Sequence, residues 1–502
     1  MKKLKFSFIN LGCNKNLVDT QFLLGNIFSL AWNNPNYEID YINDPYDDEV
    51  DYVFLNTCGF ISSGREEMFE EIDKLLNAWK KIYLLGCALQ YFETTLSSFL
   101  KEEDHEVVES RWSGASVLRT SPFPAEAGHG KKGDNNEIEQ WKKIVKNPNI
   151  HFLSWSDWDK MSVENILAWY DSKKFWESPI FNGIRAYTNI DYWFEYLKIA
   201  EWCNNHCTFC IIPKIRWKQK SLKIEDVVKQ AQELINNGVK EIILLAQDTN
   251  RYWLDLYGKS MLFELLEELE KIEWDFMYRI LYLYPDILTL KHLEKLKKLK
   301  KFIPYFDIPL QHINPEILKK MWRFYDKNHI LKLLDFIGKN FKEKFVRTNI
   351  IVWFPWETEK EFDELCEFLK WYHFDNVALF EYHDEPLAES SKLDWKVDGK
   401  EIHRRFEILK WIIEKPPLNP LFEKEGTVTS DTSSFSKRWQ GGDLVWFIMW
   451  FEWNEKDPVI IVRPWLHAPE IDEYDKIKLK NIKWIFSDDE NLDIWSKILY
   501  KK

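Results

Sequence analysis

Glycine is scarce in this chain. Only 17 of its 502 residues are glycine, where average usage of about 7% would supply roughly 35. Tryptophan fills the other side of the anomaly: its 26 copies outnumber the glycines, although so large a side chain is hard to bury completely. Long apolar runs are missing as well, and none approaches the ~20 residues of a membrane helix. The start, MKKLKFSFINLGC, has the basic tip of a signal peptide and an LGC that hints at lipoprotein cleavage. Its apolar stretch, Phe6 to Ile9, falls short of the roughly 7–15 residues such a signal needs. A cytoplasmic protein with no membrane segment is therefore expected. A basic excess is also lacking. The net charge of −13 argues against an extended grip on phosphates and suits a neutral or basic partner. Seven cysteines, an odd number in a large chain, do not read as a disulfide framework. No G-x-S-x-G, Walker loop or H-E-x-x-H supports a hydrolase or nucleotidase.

What is present is an α/β pattern. The length predicts two to four domains, and a hydrophobic share of 45% with 30% charged residues describes a soluble protein with large cores. Over residues 1–170, KLKFSFINLGC, DYVFLNTCGF and KKIYLLGC read as strands alternating with helices such as REEMFEEIDKLLN, hence a parallel sheet. Thr120–Gln140, rich in Pro, Gly and charge, reads as a loop insertion, and the stretch around residue 175 as a linker. Over 185–420 the alternation repeats six times, with strands YLKIA, EIILLAQ, FMYRILYLY, PYFDIPL, VRTNIIVW and NVALFEYH. Six βα units predict an open, TIM-like barrel with its chemistry at the carboxyl ends of the strands. Residues 425–495 change to short alternating segments and predict a small β module.

The cysteines fall into two sets. Cys13, Cys58 and Cys87 each follow the end of a strand. Carboxyl ends of parallel strands share one edge, where ligands bind, so three thiols far apart in sequence are predicted to meet. Cys203, Cys207 and Cys210 form C-x₃-C-x₂-C directly after the first barrel strand. Zinc normally takes a fourth Cys or His, and His206, inside the motif, suits a loop residue better than a ligand. Three thiolates on an iron–sulfur cluster would leave one iron open to a substrate or cofactor. A structural zinc knuckle is the bland alternative.

This C-x₃-C-x₂-C on a (βα)₆ barrel resembles the radical S-adenosylmethionine enzymes. In those the open iron chelates the methionine part of S-adenosyl-L-methionine, and the reduced cluster cleaves it to a 5′-deoxyadenosyl radical, with the cofactor carrying the hard step. The segments LGCNKNLVD, NTCGFI, LLGC, YLKIAEWCNNHCTFCIIPKIRWKQKS, YFDIPLQHINPEILKKM and RTNIIVWFPWETEKEF resemble, more narrowly, the methylthiotransferases. That resemblance implies two 4Fe–4S clusters: a radical-generating one on Cys203, Cys207 and Cys210, and an auxiliary one on Cys13, Cys58 and Cys87 implicated in sulfur transfer. A second S-adenosyl-L-methionine would supply the methyl group, and the tail would be a TRAM-like domain that docks the substrate. KNLVD, NTCGFI, DWDKM and RPWLHAPEID resemble the branch that methylthiolates an aspartate β-carbon on small-subunit ribosomal protein number twelve, rather than the branch acting on adenosine in tRNA. Charge agrees: from Gly426 onward there are 11 basic against 13 acidic residues, net −2, poor for holding RNA. A non-catalytic iron–sulfur scaffold is the reading from a different class. The sulfur carrier and electron donor are not identified by sequence.

The resemblance also locates the glycine deficit. Trp202, Trp217, Trp253, Trp353 and Trp356 stand where the related sequences carry glycine. Glycine serves where φ must be positive or the backbone must approach a ligand closely, and tryptophan is a poor substitute for either. The expectation is that a codon meaning glycine in the source organism, a reassigned stop codon, has been rendered as tryptophan. Converting about 20 of these residues would lift glycine to roughly 37, near the average. Among the remaining residues, Phe209 matches the adenine-contacting position of the related enzymes and Gln311 lies in a matching motif at the fourth strand's mouth, while Gln247 is a candidate S-adenosylmethionine contact by its place at the end of the second strand; packing or loop capping is the plainer reading. Asp248, Arg347, Thr348 and His312 lie at strand ends, and Cys366 shares a helical face with Phe362, Leu365 and Leu369, which predicts a core thiol.

Overall fold

The computed structural model describes residues 2–32, 37–96, 135–152, 185–186, 194–215, 218–393, 399–414, 444–452, 459–464, 475–478 and 498–500. Trp217, DWDKM and the linker near residue 175 lie outside them. The chain divides into two compact units, one of residues 1–190, 201–222 and 383–394, the other of 191–200, 223–382 and 395–502.

In the first unit, β1 (Lys2–Asn10), β2 (Tyr37–Tyr41), β3 (Tyr52–Thr57), β4 (Lys81–Gly86) and β5 (Ile150–Phe152) form a parallel sheet in the order β2-β1-β3-β4-β5. β3 and β4 are buried over nearly their whole length, as apolar runs are when both faces of a parallel sheet are covered. Helices α1 (Asn14–Trp32), α2 (Ser62–Asn77), α3 (Cys87–Leu96) and α4 (Asn135–Lys146) belong to this unit. Met68, Phe69, Ile72 and Leu75 make the buried stripe of α2, the spacing of an amphipathic helix. Two strands of this sheet escaped the sequence reading. β2, YEIDY, alternates charge with aromatics on the sheet edge, and β5 is three residues long. The end of the expected loop insertion is also regular, since α4 begins at Asn135.

The second unit holds all six expected barrel strands: β6 (Phe194–Lys198), β7 (Glu241–Leu245), β8 (Met277–Ile280), β9 (Phe302–Asp307), β10 (Phe345–Val352) and β11 (Asn376–Glu381). They are parallel and lie in chain order, β11-β10-β9-β8-β7-β6. A crossover helix such as α5 (Ile224–Asn236) buries Val227, Ala231, Leu234 and Ile235 as one stripe and carries Glu225 and Asp226 in its first turn, where the helix dipole favours anions. The β-rich tail contributes β12 (Leu444–Glu452), β13 (Val459–Pro464), β14 (Asp475–Lys478) and β15 (Ile498–Tyr500), antiparallel in the order β14-β13-β12-β15.

Eight described non-glycine residues have left-handed backbone: Trp79, Trp202, Trp253, Tyr282, Gln311, Trp322, Trp353 and Trp356, with φ between 60° and 75°. For an L-residue this conformation costs roughly 1–2 kcal/mol, and for a bulky side chain it is an outlier. Six of the eight are tryptophan. Four of these are among the positions singled out from the sequence; Trp79 and Trp322 are new.

Candidate functional site

Cys13, Cys58 and Cys87 come together at the carboxyl edge of the first sheet. β1, β3 and β4 end at Asn10, Thr57 and Gly86, so each thiol follows its strand by one to three residues. Backbones crowd here. A Cβ on Gly59 would lie 2.5 Å from the Cys87 carbonyl oxygen, a separation no side chain tolerates, so glycine is what lets the Cys58 turn sit against the start of α3. The Asn16 side chain, 1% exposed, lies between two of the thiols. Its Oδ1 is 3.8 Å from Cys13 Sγ and 3.9 Å from Cys87 Sγ. Burial pushes the Cys58 thiol up to about 11, the neighbouring Cys87 and Cys13 push it the same way, and backbone N–H groups of Phe60 and Ile61 partly offset this. The Cys58 thiol, buried beside two other sulfurs, resists ionising without a cation among them, which is the character of a metal-binding set.

Cys203, Cys207 and Cys210 lie on a loop of the same compact unit, although in sequence they interrupt the barrel. The loop is fixed locally. Cys210 N–H donates to the Cys207 carbonyl at 3.0 Å, and Asn205 N–H reaches Cys203 Sγ at 3.4 Å. Ser390 N–H donates to the Thr208 carbonyl at 2.8 Å, and Lys214 pairs with Glu389. Ile211 and Ile215 then bury among Val53, Leu55 and Ala88 of the first unit's core. His206 is exposed and Phe209 half-buried. None of the seven cysteines is in a disulfide. Among the described residues, no three Cys, His, Asp or Glu side chains converge tightly enough for a single metal ion. Thiolates on a four-iron cube are spread over separate irons, which an all-sulfur set of three accommodates.

The segment His383–Asp394 contributes a residue that sequence reading missed. Glu385 accepts from the Ser62 backbone N–H at 3.1 Å and pairs with Arg65 at 3.1 Å. Arg65, 2% exposed, also pairs with Glu137 at 3.1 Å, donates to the Gly59 carbonyl at 3.3 Å and lies 4.0 Å over the Tyr91 ring. One buried cation thus ties α2, α4 and the turn after Cys58 to this segment. Nothing in the local sequence pairs residues 65, 137 and 385, which is why the contact was not legible.

In the second unit, Gln247 and Asp248 follow β7, and Asp248 accepts from Arg251 at 3.0 Å. Gln311 follows β9 with φ 67° and is held through its backbone, donating to the Asn349 carbonyl at 2.7 Å and accepting from Ile351 N–H at 2.9 Å. Left-handed backbone in a residue so firmly pinned is common at ligand sites. Arg347 pairs with Asp307 at 3.0 Å, and Thr348 donates to the Ile308 carbonyl at 2.8 Å, so both are sheet-bracing groups. Cys366 is buried with Phe362, Leu365 and Leu369, and burial pushes its thiol up to about 12; it is a packing residue, as its helical face predicts.

His312 is fully buried, accepts from Asn314 N–H at Nδ1 (2.9 Å), and lies 3.9 Å from Glu357. Burial drives its pKa from 6.5 down to about 3. A histidine held neutral in the fold contributes stability above its unfolded value of 6.5 that is lost as pH falls toward 3. The expected result is a urea midpoint that declines as pH drops from 7 to 5, with a shallower decline in His312→Asn, whose side-chain oxygen still accepts from Asn314. Equal slopes would contradict the burial account.

Two family models match this chain. Residues 197–369 match the radical SAM superfamily model, and residues 5–108 match the uncharacterized protein family UPF0004. The ribosomal protein uS12 methylthiotransferase RimO of Dictyoglomus thermophilum is 34% identical over 473 residues, covering 93% of this chain and 91% of that one. The protein of the same name from Clostridium kluyveri is 36% identical over 398 residues, 78% of each chain. Among solved structures, the radical S-adenosylmethionine methyltransferase TsrM from Kitasatospora setae aligns with a TM-score of 0.46 at 12% identity, over 78% of this chain and 77% of that one. With 34% identity to a named methylthiotransferase over nine-tenths of both sequences, the chain belongs to the radical S-adenosylmethionine methylthiotransferases.

Proposed function

We propose that this protein methylthiolates the β-carbon of an aspartate on ribosomal protein uS12, replacing an unactivated hydrogen by S–CH₃. Cys203, Cys207 and Cys210 would hold the radical-generating 4Fe–4S cluster, and Cys13, Cys58 and Cys87 the auxiliary one. The observation that carries the reading is the position of both cysteine trios within one compact unit, in a chain whose relatives at 34% identity bear that activity in their names. When bound, the first cluster supplies the electron that cleaves S-adenosyl-L-methionine and so gains access to a C–H bond that no protein base can deprotonate. The chain's own part is to hold. Ser390 and the buried Ile211 and Ile215 fix the cysteine loop, while Gly59 and Arg65 fix the turn after Cys58. Phe209, Gln247 and Gln311 would contact S-adenosyl-L-methionine, and the antiparallel tail would serve as the TRAM-like docking module, with chain limits near 1–170, 185–420 and 425–495. A net charge of −13 favours a basic ribosomal protein over a polyanion. The test is anaerobic incubation of the reconstituted full chain with S-adenosyl-L-methionine, sulfide and reductant, offering uS12 and tRNA in separate reactions. A methylthio mass addition on an aspartate of uS12 is expected; methylthioadenosine in the tRNA instead would move the protein to the other branch.

A further inference from the structure

We propose that Asn16 is a positioning residue that donates a hydrogen bond to the Cys87 sulfur and so sets the reduction potential of the auxiliary cluster. The inference rests on the cluster reading of Cys13, Cys58 and Cys87. Asn16 Nδ2 lies 3.9 Å from Cys87 Sγ, 3.2 Å from the Thr57 carbonyl and 3.3 Å from Asn56 Oδ1. Asn56 in turn donates to the Asn16 carbonyl at 2.9 Å and to Thr20 Oγ1 at 3.0 Å. Asn16 and Asn56 are both essentially inaccessible, so the amide is oriented by a closed network rather than by solvent. Its seat depends on the neighbouring glycine, because a Cβ on Gly12 would lie 2.1 Å from Nδ2. A thiol can donate to Oδ1, as the distances to Cys13 and Cys87 allow, but a metal-bound thiolate can only accept. The N–H of Asn16 is then the partner that suits it. Donors to cluster sulfurs favour the reduced, more negative state.

The test is a redox titration of the anaerobically loaded full chain, followed by electron paramagnetic resonance, in wild type and Asn16→Leu. The expected result is full iron loading with one of the two clusters shifted to lower potential and the other unmoved. Should the leucine variant fail to load, Asn16→Asp keeps the shape and places a carboxylate beside the sulfurs, and its potential should also fall. An unchanged potential in a loaded variant overturns the proposal. If wild type itself carries only one cluster, the underlying reading fails instead, and iron content distinguishes the two.

A separate observation carries a second inference. We infer that Trp79, Trp202, Trp253, Trp322, Trp353 and Trp356 are glycine in the native protein. Trp79 follows the Ala78 cap of α2; Trp79 N–H donates to the Leu76 carbonyl and Lys80 N–H to the Leu75 carbonyl. That pair of bonds, with a left-handed residue between, is the Schellman helix end, where glycine is the usual occupant. The same two bonds recur at Trp322, to Lys319 and from Arg323 to Leu318. They recur again after α5, where the left-handed residue is Gly238, bonded to Ile235 while Val239 reaches Leu234. Three identical helix ends thus carry glycine once and tryptophan twice. The Trp79 ring has no packing reason to be there, being 91% exposed, and the Trp322 ring, 50% exposed, meets only the edge of the exposed Phe324 ring at 5.1 Å among the described ring contacts. By contrast Trp141, inside a helix, is fully buried and stacks on Phe92 at 4.3 Å. Peptide mass spectrometry of protein purified from the source organism is expected to read glycine at the six left-handed positions. Tryptophan at residues 79 and 322 would overturn the inference. In a recombinant chain, Trp79→Gly and Trp322→Gly should each raise the thermal midpoint, and a fall in either would count against it.

Discussion

Alanine in place of Cys203, Cys207 or Cys210 is expected to reduce 5′-deoxyadenosine formation below detection and to remove about half of the bound iron, that of one four-iron cluster out of two. Alanine at Cys58 or Cys87 is expected to remove the other half, leave 5′-deoxyadenosine formation in place and abolish methylthiolation. The asymmetry follows from the two trios being separate sets on separate backbone elements. Cys203 to Cys210 sit on one short loop fixed by its own hydrogen bonds. The other three thiols meet through the ends of three strands. Loss of all iron from a Cys203 variant would show that the trios load as one group, and deoxyadenosine formation lost equally in the Cys58 variant would show that they act as one.

Arg65→Met is expected to cost roughly 3–5 kcal/mol of stability, the usual consequence of removing one partner from a buried ionic group. The methionine would fill much of the space, yet Glu137 and Glu385 would remain, 9% and 5% exposed, facing a cavity without a cation. Burial already raises the Glu385 carboxyl above its ordinary value, with Arg65 opposing the rise. Without Arg65 the Glu385 carboxyl rises further. A carboxyl whose folded pKa exceeds its unfolded value destabilises the fold increasingly as pH rises through the folded value. The deficit of the variant should therefore be large at pH 8 and smaller at pH 5, measured as the shift in denaturant midpoint. Because Arg65 also donates to the Gly59 carbonyl, the variant should bind less iron at the Cys58 set than at Cys203 to Cys210. A loss below about 1 kcal/mol with no pH dependence would be that of a surface pair, and would contradict the buried network.

The barrel was legible because its six strands are short runs between amphipathic helices, and EIILL or FIPYFD reads as a strand buried in a parallel sheet. The first trio was legible for the same reason: Cys58 and Cys87 immediately follow strands that a parallel sheet must align. β2 and β5 were not, since an edge strand with alternating charge and a three-residue strand carry little periodicity. Long-range polar contacts were invisible. Asn16 with Cys87, and Arg65 with Glu385, are joined by folding across 71 and 320 positions, and no local pattern marks them. The grouping of residues 201–222 and 383–394 with the N-terminal sheet belongs to the same class. Trp79 and Trp322 were missed because a helix end, unlike a cofactor loop, has no motif to compare.

Iron and acid-labile sulfide in the anaerobically purified full chain test the central claim most directly. Two thiol trios each holding a cube predict roughly eight irons and eight sulfides per chain. About four of each, or none, would contradict a two-cluster methylthiotransferase.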